Sequence, residues 1–329
     1  MEQAKAKWAP YAKKYEIHEE TYQLQAMVDA EDAGDSDNIT VEGIRKQMHV
    51  TEMKLQGTVD FSGVETEMTV PSPHDPEGIA VTVYKPETCA DNPAILVYFH
   101  GGGLVWGSRE SVAATVKVIA MDSGSIVVNA SYRLLPNTQA PCAPFEDGVT
   151  VTRWVMASKT AVGGTESSKV GVGGDSSGGH LSACVTNEVT GLDFQVLVYP
   201  VADTSLSQPS CKEFENIPYL DMNTLRWIFE QSLANIPGHE TDPRYNPMAR
   251  TNTELSPPAL LVLAELDPLL GCGLDYAEKL RTAGVPVQCE ILRGVPHDVF
   301  ISRTAMPVMS AKSFSLVAGF LKQFHGGKP

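Results

Sequence analysis

The chain has 329 residues, 43% of them hydrophobic, which is enough for one large α/β domain with its own core. Its 25 basic and 40 acidic residues give a net charge of −15, and this argues against nucleic acid and anionic membranes as partners. No stretch has the apolar length of a membrane-spanning helix, and the first residues lack the apolar region of a signal peptide. We therefore expect a cytoplasmic protein with no membrane partner, whose oligomeric state stays open, a homodimer being one option.

Strands and helices alternate along most of the chain, which predicts a mostly parallel sheet of eight strands with helices on both faces. The predicted strands are Thr66–Val70, Ile79–Tyr84, Ala94–Phe99, Ser125–Ala130, Lys169–Gly173, Phe194–Tyr199, Ala259–Ala264 and Val285–Leu292. The predicted helices of this core are Ser111–Met121, Phe145–Ser158, Gly178–Val189, Leu274–Ala283 and Ser310–Phe324.

Two segments lie outside this alternation. Residues 1–50 are charged and helical in pattern, and residues 204–250 form an insert that contains several large apolar side chains. We divide the chain into an N-terminal cap segment, 1–50, and a catalytic domain, 51–329, in which the insert at about 204–250 belongs to the cap. Helices placed above a sheet in this way supply apolar walls for a pocket.

The sequence His100-Gly101-Gly102-Gly103 directly follows a predicted buried strand. Consecutive glycines let backbone N–H groups approach a ligand closely because no Cβ intervenes. Such a loop suits an oxyanion hole, in which amide donors bind the negative oxygen of a tetrahedral acyl intermediate.

A second motif, Gly174-Asp175-Ser176-Ser177-Gly178, lies between a predicted strand and a predicted helix. This is the context of a nucleophile elbow, a sharp turn that exposes a serine hydroxyl above the sheet. A serine nucleophile needs a histidine base and an acid that orients the histidine, in the chain order Ser, Asp or Glu, His. The sequence thus predicts Ser176 as the nucleophile.

Two downstream residues follow successive predicted strands and fit this order: Asp267 as the acid and His297 as the base. Asp203 is the rival acid because it also follows a strand. Asp298 is a weaker candidate, since the side chains of adjacent residues normally diverge. Of the other histidines, His180 shares a helical face with Ser176, although helix packing is its simpler role.

These motifs resemble the hormone-sensitive-lipase family of α/β-hydrolases, with its arylacetamide-deacetylase-like and carboxylesterase-like members. Further similarities are Tyr132-Arg133-Leu134-Leu135-Pro136, Asp147 and Asp267-Pro268-Leu269. The resemblance covers about Ile79 to Phe324. It departs from the family pattern at Asn137, which stands where glutamate is usual, at Leu270-Gly271-Cys272, and at Asp298.

The resemblance implies an α/β-hydrolase fold with a helical cap and a Ser176–Asp267–His297 triad. It also implies oxyanion donors from the N–H groups of Gly101, Gly102 and Ser177. We expect substrate contacts from Gly103, Asp175, Trp106 and Trp227, and neither a metal nor an organic cofactor.

The activity that these residues favour is hydrolysis of small to medium uncharged acyl esters through an acyl-enzyme. If neutral His297 is the base, kcat/KM should rise with pH around an ordinary histidine pKa of about 6.5. An amidase or deacetylase would use the same residues. A biosynthetic lyase or a non-catalytic small-molecule receptor on the same fold are further alternatives.

Overall fold

The computed structural model describes residues 1–31, 40–137 and 139–326. Eight strands form one sheet in the order β1-β2-β4-β3-β5-β6-β7-β8. They are β1 (Gly63–Val70), β2 (Ile79–Pro86), β3 (Ile95–Phe99), β4 (Ile126–Ala130), β5 (Val170–Asp175), β6 (Phe194–Val198), β7 (Ala259–Leu266) and β8 (Val287–Pro296). Strand β2 is antiparallel to β1 and to β4, and the remaining neighbours run parallel, which confirms the predicted sheet.

The helices of the described residues occupy both faces of the sheet and the region above it. They are α1 (Glu2–Trp8), α2 (Glu19–Glu31), α3 (Val41–Gln56), α4 (Ala113–Ser123), α5 (Ala143–Ala157), α6 (Ser177–Glu188), α7 (Pro209–Glu213), α8 (Met222–Gln231), α9 (Leu270–Thr282) and α10 (Pro307–Lys322). Short 3-10 helices cover Glu110–Val112, Leu233–Asn235, Pro247–Ala249 and Thr253–Leu255. Among these residues, no helix is both long and apolar enough to span a membrane.

Alternate side chains of the central strands enter separate cores on the two faces of the sheet. Val196 and Val262 pack with α4 and α10 on one face. Leu197 and Leu261 pack with α9 on the other. The buried strands β3, β4 and β6 are therefore apolar at nearly every position, as expected for a sheet that is covered on both faces.

Two of the predicted boundaries that differ from the structure bear on the site. Helix α9 begins at Leu270 rather than at Leu274, because Asp267 accepts a hydrogen bond from the Leu269 N–H (2.8 Å) and turns the chain directly into the helix. Helix α3 continues beyond residue 50 and ends at Gln56, with Gly57 in the left-handed region (φ 62°). The N-terminal segment thus enters the body of the protein within a helix, and residues 32–39 of that segment lie outside the described residues.

The N-terminal segment and the insert contact each other. Trp8 is fully buried in a cluster with Phe214 and Leu266, and the rings of Tyr11 and Tyr15 lie 6.1 and 5.6 Å from that of Phe214. These aromatic side chains hold the two cap segments together and against the sheet.

Parallel register brings the chemical motifs to one edge of the sheet. Phe99, which precedes the glycine loop, pairs with Gly174, and Leu266 pairs with Pro296. The residues that follow these pairs, His100 and Asp175 in one case and Asp267 and His297 in the other, are therefore neighbours in space.

Candidate active site

Ser176 lies on a strained turn between β5 and α6. Its φ of 52° and ψ of −119° are unfavourable for a residue with a Cβ, and they expose the hydroxyl above the sheet. The turn approaches β3 so closely that a Cβ on Gly178 would overlap the carbonyls of Phe99 and His100. Glycine at 178 is therefore required by space.

A chain of hydrogen bonds connects Ser176, His297 and Asp267. The Nε2 atom of His297 is 2.9 Å from Ser176 Oγ, and its Nδ1 atom is 2.7 Å from Asp267 Oδ2. Asp267 is fully buried, and its second oxygen accepts the Leu269 N–H. Both oxygens of the carboxylate are thus held, which fixes the orientation of the imidazole.

The rival residues have other partners. Asp203 accepts hydrogen bonds from the Ser205 N–H and hydroxyl and from Gln208 Nε2 (2.7 Å). His180 is buried, with Nδ1 2.6 Å from the Val201 carbonyl and its ring against Phe145, and burial lowers its pKa to about 4.

Asp298 does not diverge from His297 as the sequence predicts. Its φ of 63° turns the side chain back, so that Oδ1 lies 3.6 Å from His297 Nε2. The other oxygen accepts a hydrogen bond from the Tyr219 hydroxyl (3.0 Å). Burial raises the pKa of Asp298, although the charge of His297 and the Tyr219 hydrogen bond oppose the shift.

The charges around His297 change the expected pH dependence. Burial alone lowers the pKa of this imidazole, but the negative charges of Asp267 and Asp298 and the hydrogen bond to Asp267 outweigh burial and raise the pKa to about 9. The expectation of an ordinary value near 6.5 therefore needs revision, because an imidazolium between two carboxylates is stabilised.

The glycine loop presents its backbone toward Ser176. Gly102 has a φ of 104°, and a Cβ there would overlap the carbonyl of Trp106. Within the described chain, the N–H groups of Gly101, Gly102 and Ser177 donate to no protein acceptor, so they are available to a ligand. Beneath the loop, the buried His100 stacks on Tyr132, whose hydroxyl donates to the His100 carbonyl (2.8 Å).

A cavity of about 60 Å³ opens above Ser176 and His297. Most of the predicted site residues line it, namely Gly101, Gly102, Gly103, Trp106, Asp175, Ser176 and His297. Ser177 lines a smaller apolar cavity of about 30 Å³ next to it, and the two cavities share Gly103, Val201, Leu225 and Ile228. Asp175 also receives a hydrogen bond from the Tyr98 hydroxyl (2.5 Å) and packs beneath Gly101.

The predicted substrate contact of Trp227 needs correction, because Trp227 lines neither of the two cavities. Leu225 and Ile228 are three positions apart and share one face of α8, whereas Trp227 lies on a different face and is half-buried. The spacing of Met222, Leu225 and Ile228 was a signal that could have identified the correct face.

Sequence reasoning missed further residues of the cavity wall, including Glu52 on α3, Ser111, Val112, Leu220 and Ile301. Glu52 had no signal in the sequence, since glutamate on a helix is normally exposed. In the described ranges, no cluster of His, Cys, Asp and Glu could hold a metal ion.

The arrangement resembles an α/β-hydrolase active site, and comparison with known proteins supports the α/β-hydrolase fold. A family profile described as the α/β hydrolase fold matches residues 96–301. An ethyl acetate hydrolase of Pseudomonas putida is 33% identical over 264 residues, 77% of this chain and 81% of the relative. A carboxylesterase of Mycobacterium tuberculosis is 38% identical over 221 residues, 64% of this chain and 67% of the relative.

Solved structures agree as well. An ester hydrolase from the metagenome of Lake Arreo superimposes with a TM-score of 0.84 at 26% identity, covering 94% of this chain and 99% of that structure. An esterase of Pyrobaculum calidifontis gives a TM-score of 0.80 at 27% identity, covering 91% and 97%. The chain therefore belongs to the carboxylesterase-like α/β-hydrolase family, and it is a carboxylic ester hydrolase.

Proposed function

We propose that the enzyme hydrolyses esters of small to medium uncharged acyl groups through an acyl-enzyme on Ser176. The observation that carries this proposal is the hydrogen-bonded series Asp267–His297–Ser176, which is buried at its acid end and reaches the cavity at the serine. A serine hydroxyl becomes an effective nucleophile when a neighbouring imidazole takes its proton.

In the first half of the reaction, Ser176 Oγ attacks the ester carbonyl while His297 Nε2 accepts the hydroxyl proton. Negative charge develops on the carbonyl oxygen, and the free N–H groups of Gly101, Gly102 and Ser177 stabilise it. Asp267 holds the imidazole in the required tautomer and stabilises its positive charge. His297 then returns the proton to the alcohol as it leaves.

In the second half, water takes the place of the alcohol. His297 removes a proton from this water, which attacks the acyl carbonyl, and the same N–H groups stabilise the second tetrahedral intermediate. Ser176 leaves as the alkoxide and recovers its proton from His297. The cycle uses only side chains and backbone groups that the chain itself supplies.

The dimensions of the cavity support a limit on acyl length. The smaller cavity of about 30 Å³ is lined by Leu206, Leu225, Phe229 and other apolar side chains, beside Ser177. At about 10–15 Å³ for each water-sized group, it holds only two or three carbon atoms beyond the carbonyl. The name of the ethyl acetate hydrolase relative is consistent with a small ester.

A chain-length series of p-nitrophenyl esters, with p-nitroacetanilide as the matching amide, tests this proposal. Each buried methylene contributes about 0.8 kcal/mol until the cavity is full, so kcat/KM should peak between acetate and hexanoate and then fall. The anilide should react far more slowly, and no rise in rate should occur above the solubility limit. A faster anilide would indicate an amidase, and activation on emulsified triglyceride would indicate a lipase.

A further inference from the structure

The direction of proton transfer locates the two halves of the ester. His297 Nε2 must protonate the departing alcohol, so the alcohol lies beside that nitrogen. The small apolar cavity is lined by Gly103 and Ser177 of the oxyanion region and not by His297, so it suits the acyl group. The groups near Nε2 that line the cavity therefore face the alcohol.

One of these groups is Asp298, whose Oδ1 lies 3.6 Å from His297 Nε2. Its left-handed backbone conformation, unusual for a residue with a Cβ, and the hydrogen bond from Tyr219 hold the carboxyl at the cavity wall. The sequence alone would direct this carboxyl away from the site, so the fold supplies its position.

The second group is Glu52 of α3, which lines the same cavity although only 6% of its surface is exposed. The polar side chains of Ser111 and Trp106 oppose the effect of burial on the pKa of this carboxyl, but among the described residues Oε2 has no hydrogen-bond partner. A buried polar atom without a partner costs free energy, so the atom points to a ligand that completes its bonding. Burial raises the pKa of Glu52 to about 8, and a cation beside it would favour the ionised form.

The cavity wall also contains Trp106, whose indole can attract a cation through its π system. Within the described part of the chain, this cavity wall contains no Lys or Arg side chain that would neutralise the carboxyls. Catalysis needs neutral His297, and in that state the two carboxyls and the indole face no cation of this cavity wall, so they are suited to an ammonium group.

We propose that the alcohol portion of the preferred substrate carries an ammonium group, bound by Glu52, Asp298 and Trp106. The preferred substrates are thus esters of amino alcohols with short, uncharged acyl groups. This inference rests on the proposed function, since it assigns the leaving group of the same reaction.

A pair of substrates of nearly equal shape tests the inference. In 2-(dimethylamino)ethyl acetate a protonated nitrogen replaces the branching CH group of 3-methylbutyl acetate. At about pH 7, the kcat/KM of the wild-type enzyme should be at least about tenfold higher for the ammonium ester. The ratio of the two values is the quantity to compare among variants, because it cancels effects that both substrates share.

Glu52→Gln and Asp298→Asn should each lower this ratio about fivefold or more, because each removes a charge from the ammonium site. Glu42→Gln is the control, since Glu42 lies on the same helix, is exposed and pairs with Lys46 outside the cavity. Its ratio should equal that of the wild type.

Should Glu52→Gln fail to fold, inhibition of the wild type supplies the second measurement. Protonated 2-(dimethylamino)ethanol should then inhibit p-nitrophenyl acetate hydrolysis at lower concentration than 3-methylbutanol does. The inference is overturned if the wild-type ratio of kcat/KM for the ammonium ester to that for 3-methylbutyl acetate is one or below, or if Glu52→Gln and Glu42→Gln have equal ratios. In either case, hydrolysis of 3-methylbutyl acetate would still support the proposed function. If neither ester nor any p-nitrophenyl ester is hydrolysed, the proposed function fails, and the inference fails with it.

Discussion

The floor of the cavity, meaning Ser176, His297 and the glycine loop 101–103, is formed by turns that follow parallel strands. The roof, meaning Glu52 of α3 with Leu225 and Ile228 of α8, comes from helices outside the strand–helix alternation. Backbone register fixes the floor to within hydrogen-bond distances, whereas side-chain packing alone sets the roof. Changes in the floor should therefore abolish catalysis, and changes in the roof should alter which ester is hydrolysed.

The largest effect is expected at the nucleophile. Ser176→Ala removes the attacking oxygen and should reduce kcat for p-nitrophenyl acetate by a factor on the order of 10⁶. Because the hydroxyl lies at the surface of the cavity, the melting temperature should change little. A variant that retained a hundredth of the wild-type rate would exclude Ser176 as nucleophile.

Asp267→Asn is expected to be the next most severe change. The amide favours the wrong imidazole tautomer, so kcat should fall about 10⁴-fold with a small change in KM. Asp203→Asn is the control, because Asp203 bonds to Ser205 and Gln208 instead of to His297. Steady-state kinetics of the two variants decides which aspartate is the catalytic acid. A larger fall of kcat in Asp203→Asn than in Asp267→Asn would assign that role to Asp203, after the end of β6.

The pH profile tests the contact between the floor and Asp298. Catalysis needs neutral His297, and its pKa is raised to about 9, so kcat/KM of the wild type should rise with pH and level off above that value. Asp298→Asn removes a negative charge that stabilises the imidazolium, so the pKa of His297 falls. The rising limb should then move toward acid by roughly one pH unit. An unmoved limb would show that Asp298 does not act on the imidazole.

The smallest effect is expected from the roof. Ile228→Ala removes a side chain that lines both cavities, and the acyl optimum should move to longer chains, with a gain of about fourfold per added methylene. Trp227→Ala, one position earlier, should leave the chain-length profile of the p-nitrophenyl esters as it is. A shift of the optimum in the Trp227 variant alone would restore this residue to the substrate site.

The difference between floor and roof also explains which parts of the site could be predicted from the sequence. Strand ends, glycines and chain order predict the sheet and bring Ser176, Asp267 and His297 together, because parallel register places strand ends at one edge. The position of Asp298 depends on a left-handed backbone that no residue type announces. The position of Glu52 depends on the docking of α3 against Trp106 and against Ser111 of the following 3-10 helix, a contact between segments far apart in the chain.

Labelling with a fluorophosphonate tests the central claim most directly, because this reagent phosphonylates an activated serine and leaves ordinary hydroxyls unmodified. Intact-mass spectrometry should show one adduct per wild-type chain, peptide mapping should place it on Ser176, and Ser176→Ala should remain unlabelled. Asp267→Asn should label much more slowly than the wild type. An unmodified wild-type chain, or an adduct on another residue, would contradict the account.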